Sequence, residues 1–320
     1  MKQLFKYMSE PRDFFENGYI RLTQIAALND PFEATFSRTD LELLALECDE
    51  KVACNRQTFP DFIETNLSKL GAISLSENKE NLLMWAHYAD EHKGILAGIS
   101  YHAEGEGLKL FEHLLPVSHL FSDSLNTDYS PFDGKPKPVS YRKSPRYRND
   151  KFDHDYSNVC VESGDRFLYE VCMQKSDEWI YEQEYRIVLR LEQSDRVIAP
   201  KGILDPLLNP SRTHHIHHLL RSYTVPSEAE PHCYITDLSS IDDEVERIAC
   251  AKTLTNLSKS RDVIYLMKLD SSAINNCIFG LNSEISKQNL HVNHATKTGY
   301  LDYWKARKCE NHYGLEFDEI

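Results

Sequence analysis

The chain has 320 residues, 41% hydrophobic and 27% charged, too apolar for a disordered segment and long enough for one domain with insertions or for two domains. Fifty Asp and Glu against 36 Lys and Arg leave a formal charge of −14, which disfavours unspecific adhesion to nucleic acid or anionic membrane. Its most apolar stretches, such as Leu82 to Trp85, fall far short of a bilayer span, and only 12 Gly argue against repeated glycine loops.

In chain order, Leu4 to Tyr7 predicts a short strand, and Pro11 opens a helical turn through Phe14 and Phe15 that Asn17-Gly18 ends. Tyr19 to Leu22 alternates as a strand does, and Asn29-Asp30-Pro31-Phe32-Glu33 reads as a capped turn. Helices follow at Thr39 to Cys48 and Pro60 to Leu70, then a strand at Gly71 to Ser76. A helix from Asn78 or Lys79 to His92 stops at Gly94 and hands over to a strand from Ile95 to Ser100. Residues 102 to about 160 read as irregular apart from a strand at Lys137 to Arg142. Asp165 to Lys175 is helical in pattern.

Glu184 to Glu192 alternates: Tyr185, Ile187, Leu189 and Leu191 point one way, and Glu184, Arg186, Arg190 and Glu192 the other. Residues 193 to 232 hold five prolines and read as irregular. Beyond them the pattern predicts a helix near Asp242 to Leu257, a strand at Val263 to Leu269, a helix at Ser271 to Phe279 and a frayed acidic tail. The expectation is a single α+β domain over 1–282, a mixed core of short strands and helices. It carries insertions at about 102–160 and 193–232, and 283–320 form a C-terminal extension.

Several signatures are missing. No G-x-G-x-x-G, Walker lysine, G-x-S-x-G or H-E-x-x-H occurs. Eight cysteines without a C-x-x-C pair read as free thiols in a reducing cytoplasm, and the charged residues Lys2, Lys6, Glu10, Arg12 and Asp13 leave no apolar run of a secretory leader. The histidines 214, 215, 217 and 218 lack a carboxylate or Cys at ligand spacing and read as a polar helix start. Residues 141–151 form a basic island with interleaved tyrosines; such islands grip phosphates, although a solvated loop is the simpler reading.

Four clusters stand out: Lys6-Tyr7, the 29–33 turn, Ser74-Leu75-Ser76 running into Met84-Trp85-x-x-Tyr88-x-x-x-His92, and Trp179 through Arg186. Trp85, Tyr88 and His92 share one helical face at i, i+3 and i+7, a stripe that suits core packing or a ligand wall. Glu182, Glu184 and Arg186 share one face of an extended chain, which alone reads as a solvated strand face.

These clusters, with His92-Lys93-Gly94, Val139-Ser140-Tyr141 and Cys277-Ile278-Phe279-Gly280, resemble in order the bacterial domain-of-unknown-function family 2971 over about residues 3 to 282. A basic residue on the first strand, Ser-x-Ser on a middle strand and Glu-x-Glu late in the chain is also similar to the layout of mono-ADP-ribosyltransferases. The first basic residue is Lys where Arg or His is common there, and Ser-Leu-Ser stands for Ser-Thr-Ser. That similarity implies a split sheet and an NAD-consuming transferase or glycohydrolase, a cytoplasmic toxin or anti-phage effector.

In that reading Glu184 shields the oxocarbenium-like ribose as the nicotinamide bond opens, and Glu182 positions or deprotonates the acceptor. Lys6 or Arg21 meets the pyrophosphate, and Lys93 and Arg186 add to the local positive charge. Tyr7 or Tyr88 stacks on nicotinamide, with Trp85, His92 and Arg186 also counted among the cofactor-binding residues. Ser74 and Ser76 brace the glutamate or bind ribose, and Asn29 and Asp30 fix the adjacent loop. NAD enters as substrate, no metal is expected, and the acceptor is a protein or nucleic acid. Two alternatives use the same residues. One is a Mg-dependent nuclease whose ligands are Asp30, Glu33, Glu182 and Glu184; the other is a non-catalytic sensor of a nucleotide or peptide.

Overall fold

A computed structural model describes residues 2–11, 14–39, 41–42, 59–101, 110–120, 131–144, 160–288, 290 and 301–320. The chain opens with β1 (Lys2–Met8), the turn of helix α1 (Phe14–Asn17) and β2 (Tyr19–Gln24). Then come α2 (Phe59–Leu67), β3 (Leu70–Ser76), α3 (Leu82–Tyr88), β4 (Ile95–Tyr101) and the short α4 (Val117–Leu120). The middle holds β5 (Lys137–Pro138), β6 (Ser140–Arg142), α5 (Cys160–Cys172), β7 (Gln174–Ser176), a 3-10 turn (Asp177–Glu182) and β8 (Glu184–Arg190). Next are β9 (Arg196–Pro200), α6 (Lys201–Leu208), α7 (His215–Ser222), β10 (Thr224–Pro226) and β11 (Cys233–Asp237). Last come α8 (Glu244–Thr255), β12 (Ile264–Lys268), β13 (Ile274–Phe279), β14 (Asp302–Lys308) and β15 (Leu315–Glu319). The class is α+β. Most of the expected helix at 39–48, and the basic island beyond Ser144, lie outside the described residues.

The strands form a mixed sheet in the order β10-β11-β9-β12-β2-β3-β1-β4-β13-β14-β15, while β8 pairs with β3 and β5. β3 is where the sheet divides. Its whole length pairs with β8, from Leu70↔Arg190 to Ser76↔Glu184. On its other edge the first half meets β2, through Thr23↔Ala72 and Gln24↔Gly71, and the end meets β1, through Phe5↔Ser76. Between these contacts, residues 73–75 of β3 have no recorded partner on that edge.

Apolar burial explains why β8 sits so deep. Ile187 and Leu189 enter the main core with Leu22, Ile73, Ile95 and Phe279, while Val188 faces a second core built from Ile63, Phe167, Leu168 and Val171. The polar face of β8 is therefore also enclosed: Glu184, Arg186 and Arg190 are buried, which overturns the solvated-face reading.

Other departures have local causes. Residues 193–232, expected to be irregular, carry β9, α6, α7 and β10, because the prolines sit at element edges or, as Pro206, inside α6. The segment at 274–279 is a strand, not a helix: Ile274, Cys277 and Ile278 fit a helical spacing, but β4 and parallel β14 claim its edges. The expected tail supplies β14 and β15. The expected strand at 137–142 breaks into β5 and β6, which pair with different partners.

The helix expected to reach His92 ends at Tyr88, and Asp90, Glu91 and His92 all take positive φ (44°, 52° and 69°). That turn delivers Gly94 against β1: a Cβ there would lie 2.1 Å from the Met8 carbonyl oxygen and 3.0 Å from that of Ala89. Gly202, in α6, has nothing within 4 Å of its would-be Cβ. Gly94→Ala is expected to cost at least ~2 kcal/mol in chemical denaturation, and Gly202→Ala to stabilise by up to ~1 kcal/mol. Equal stabilities for the two variants would contradict the close approach.

Candidate active site

Where β1 and β2 part, a cleft of about 220 Å³ opens. It is lined by Lys6 and Tyr7 from β1, Arg21 and Thr23 from β2, Asn29 and Glu33 from the following turn, and Ser74 and Ser76 from β3. Tyr88 of α3, Lys175 of β7, and Glu182 and Glu184 complete it. Nine of the residues singled out in the sequence thus meet in one place: Lys6, Tyr7, Arg21, Asn29, Ser74, Ser76, Tyr88, Glu182 and Glu184.

The floor is a buried ionic network. Lys175 Nζ lies 2.6 Å from Glu182 Oε2, 3.2 Å from Glu184 Oε2 and 3.2 Å from Glu33 Oε1. Arg186 grips Glu184 bidentately, Nε to Oε1 at 2.8 Å and Nη2 to Oε2 at 3.0 Å, and stands 2.8 Å from Glu33 Oε2. Its Nη1 donates to the Cys172 carbonyl at 2.6 Å. Burial opposes the charged form of Lys175, but Glu184, Glu33 and Glu182 outweigh it and keep the ammonium.

The two glutamates are driven apart. Burial alone would raise Glu184, yet Arg186, Lys175 and a hydrogen bond from Ser74 hold it down to about 2. Glu182 is raised, chiefly by burial, against the pull of Lys175 and Tyr88. Such a split within one pair is how a site separates a permanent anion from a proton carrier.

The Ser-x-Ser of β3 clamps this pair. Ser74 and Ser76 face Arg186 and Glu184 across the β3–β8 ladder, and Ser74 reaches diagonally to Glu184. Ser76 Oγ donates to the Glu182 carbonyl at 2.7 Å. Tyr88 donates its hydroxyl to Glu182 Oε1 at 2.6 Å, and burial with that neighbour pushes the phenol up. Lys6 Nζ donates to the Ser74 carbonyl at 3.0 Å, filling the gap the parted strands leave. Burial pulls Lys6 down to about 8, with Glu184 opposing and Arg21 adding to the shift.

Four expected ligand residues stand elsewhere. Trp85 is fully buried beneath the cleft, donates its indole N–H to the Lys79 carbonyl at 2.8 Å and meets Tyr7 edge-on. His92 left the helix with the positive-φ turn and stacks on Trp85 at a centroid distance of 6.2 Å. Asp30 does not line the cleft: its Oδ1 accepts the Phe32 N–H at 2.9 Å and shapes the turn. Arg186 lies behind Glu184 rather than toward a ligand. Tyr7 lines the cleft, but its hydroxyl donates to the Asn78 carbonyl.

Glu182 is not one pleat before Glu184 on a strand. It ends the 3-10 turn, and Gln183 takes a left-handed φ of 45° between the two. Lys175 is the residue that motif reasoning missed. Gln174-Lys175-Ser176 carries no motif, and the only sequence signal was two acids that would need a cation if buried.

Glu184 has an ordinary value of 4.5 when unfolded and about 2 when folded, so its stabilising share is complete above pH 4.5 and lost as pH falls toward 2. Glu182, shifted the other way, offsets part of it. Unfolding free energy from urea titrations is expected to fall by about 1–2 kcal/mol between pH 6 and pH 3; a flat profile would contradict the network. Lys6 loses its charge as pH rises through about 8.

Comparison with known proteins agrees with the resemblance read from the motifs. No curated protein and no solved structure matches the chain. The stretch that does match a family model runs from the helix at the cleft wall into β8, shorter than the 3–282 expected, and includes Tyr88, Lys175, Glu182, Glu184 and Arg186. Over residues 84–187 the chain matches the family described as "Protein of unknown function (DUF2971)".

Proposed function

We propose that the cleft splits the N-glycosidic bond of NAD, releasing nicotinamide and passing ADP-ribose to water or an acceptor. The observation that carries this reading is the meeting of Lys6, Arg21, Ser74, Tyr88, Glu182 and Glu184, distant in sequence, around one small cleft. The C1′–N bond breaks and nicotinamide leaves with the electron pair, so positive charge grows on the ribose. A bond then forms from C1′ to the oxygen of water, whose proton must go to a base.

Each of these demands has a residue. Glu184, locked by Arg186 and Ser74, supplies a rigid anion for the growing cation. Glu182, the more basic carboxylate, takes the proton of the attacking group. With Glu182 ionised, Glu33, Glu182 and Glu184 against Lys175 and Arg186 leave one negative charge to face the ribose. Lys6 and Arg21, on the two parted strands, suit the pyrophosphate. The Mg-nuclease reading is disfavoured, because Lys175 Nζ already stands among Glu33, Glu182 and Glu184, where a divalent ion would have to bind.

Nicotinamide release from NAD by the purified protein tests this. Glu182→Gln, which leaves Lys175 its Glu33 and Glu184 partners, is expected to slow release at least ~100-fold in protein shown to be folded by its unfolding transition, and chelator to leave the rate unchanged. Glu184→Gln is a poor control: stranding Arg186 in the interior is expected to cost about 3–5 kcal/mol. NAD bound without turnover would favour the sensor reading, and loss of activity with chelator would favour a metal-dependent one.

A further inference from the structure

A second cavity, of about 270 Å³, shares Lys175 with the cleft. The turn after β2 divides the two spaces: Asn29 and Glu33 line the cleft, whereas Phe32 and Thr35 line the second cavity. Between them Ala34 takes a left-handed φ of 53°, a strained conformation for an L residue and one that recurs at functional sites. The opposite wall comes from the small β6–β7 sheet and contributes Arg142, Lys143 and Ser176.

The make-up of this cavity is unusual for the chain. Among the described residues lining it there is no carboxylate. With Lys175 taken up by Glu33, Glu182 and Glu184, the cations the cavity presents are Arg142 and Lys143, in a protein with a surplus of 14 negative charges. Beside them Phe32 is 73% exposed, on a turn that Asp30 holds through the Phe32 N–H. A bare ring on a fixed turn next to paired cations is the arrangement that stacks a base and holds its phosphate. Arg142 and Lys143 also open the basic run read from the sequence.

We infer that the second cavity binds single-stranded nucleic acid, with a base on Phe32 and phosphates on Arg142 and Lys143. Resting on the proposed NAD cleavage, this strand is the acceptor. One of its nucleophilic oxygens or nitrogens forms the bond to C1′ as nicotinamide leaves with the electron pair, and its proton passes to Glu182 in place of water's.

Fluorescence anisotropy with a labelled single strand of roughly ten nucleotides tests the assignment. Phe32→Ala is expected to weaken binding about tenfold. Arg142→Gln with Lys143→Gln is expected to lower the slope of log affinity against log salt by about 1.4, two phosphate contacts' worth for a single strand. Lys143→Gln alone, at an exposed site, serves if the double variant loses stability, and is expected to give about half that change in slope. No binding by the wild type, unchanged binding in all variants, or equal competition by polyglutamate overturns the inference. Acceptor-free nicotinamide release, measured in parallel, is expected to be unchanged in Phe32→Ala. Strand binding without NAD cleavage would sink the enzymatic reading and leave the cavity's ligand standing; cleavage without strand binding would do the reverse.

Discussion

Everything at the cleft depends on two cations holding three carboxylates out of water. Glu33, Glu182 and Glu184 come from a turn, a 3-10 segment and the first residue of a strand, and none could stay ionised in the interior alone. Lys175 and Arg186 make the arrangement possible, and in doing so they tie the turn after β2, the β7 edge, the 3-10 turn and β8 into one unit. Tyr88 extends that unit to α3 through Glu182. Charges of this kind, fully partnered, specify position more than they add stability, and removing one partner exposes the cost of the rest.

Much of this was legible as pattern. β3, β4 and β8 followed from local pattern and from the Gly94 stop. The resemblance to ADP-ribosyltransferases, not any local signal, implied that Ser74 or Ser76 braces the glutamate, which the β3–β8 ladder brings within reach. What escaped were features decided by tertiary context. Gln183 turns left-handed between Glu182 and Glu184, so a repeat of two residues does not mean one strand face. His92 left its helix because Asp90, Glu91 and His92 turn sharply to deliver Gly94 beside Met8. β13 was disguised by apolar spacing that suits either period, and β14 forms beside β13 by parallel pairing that no local signal encodes.

The division of the sheet at β3 explains why two neighbouring spaces differ in character. One lies in the gap between β1 and β2 and gathers acids and bases in near balance; the other backs onto the β6–β7 pair and, apart from the shared Lys175, has Arg142 and Lys143 as its described charged lining. A single lysine and a single strained turn separate them. On the proposed reading this places donor and acceptor in adjoining compartments without requiring either to cross the core.

The bond from Lys6 to the Ser74 carbonyl has a mechanical side as well. That carbonyl lies beside the gap between the parted strands, so the amine acts as a removable peg in a seam of the backbone. An anion that draws the ammonium to itself pulls the peg. Occupancy would then register as faster amide hydrogen exchange along the β1–β3 junction, making the seam a built-in reporter of what the cleft contains.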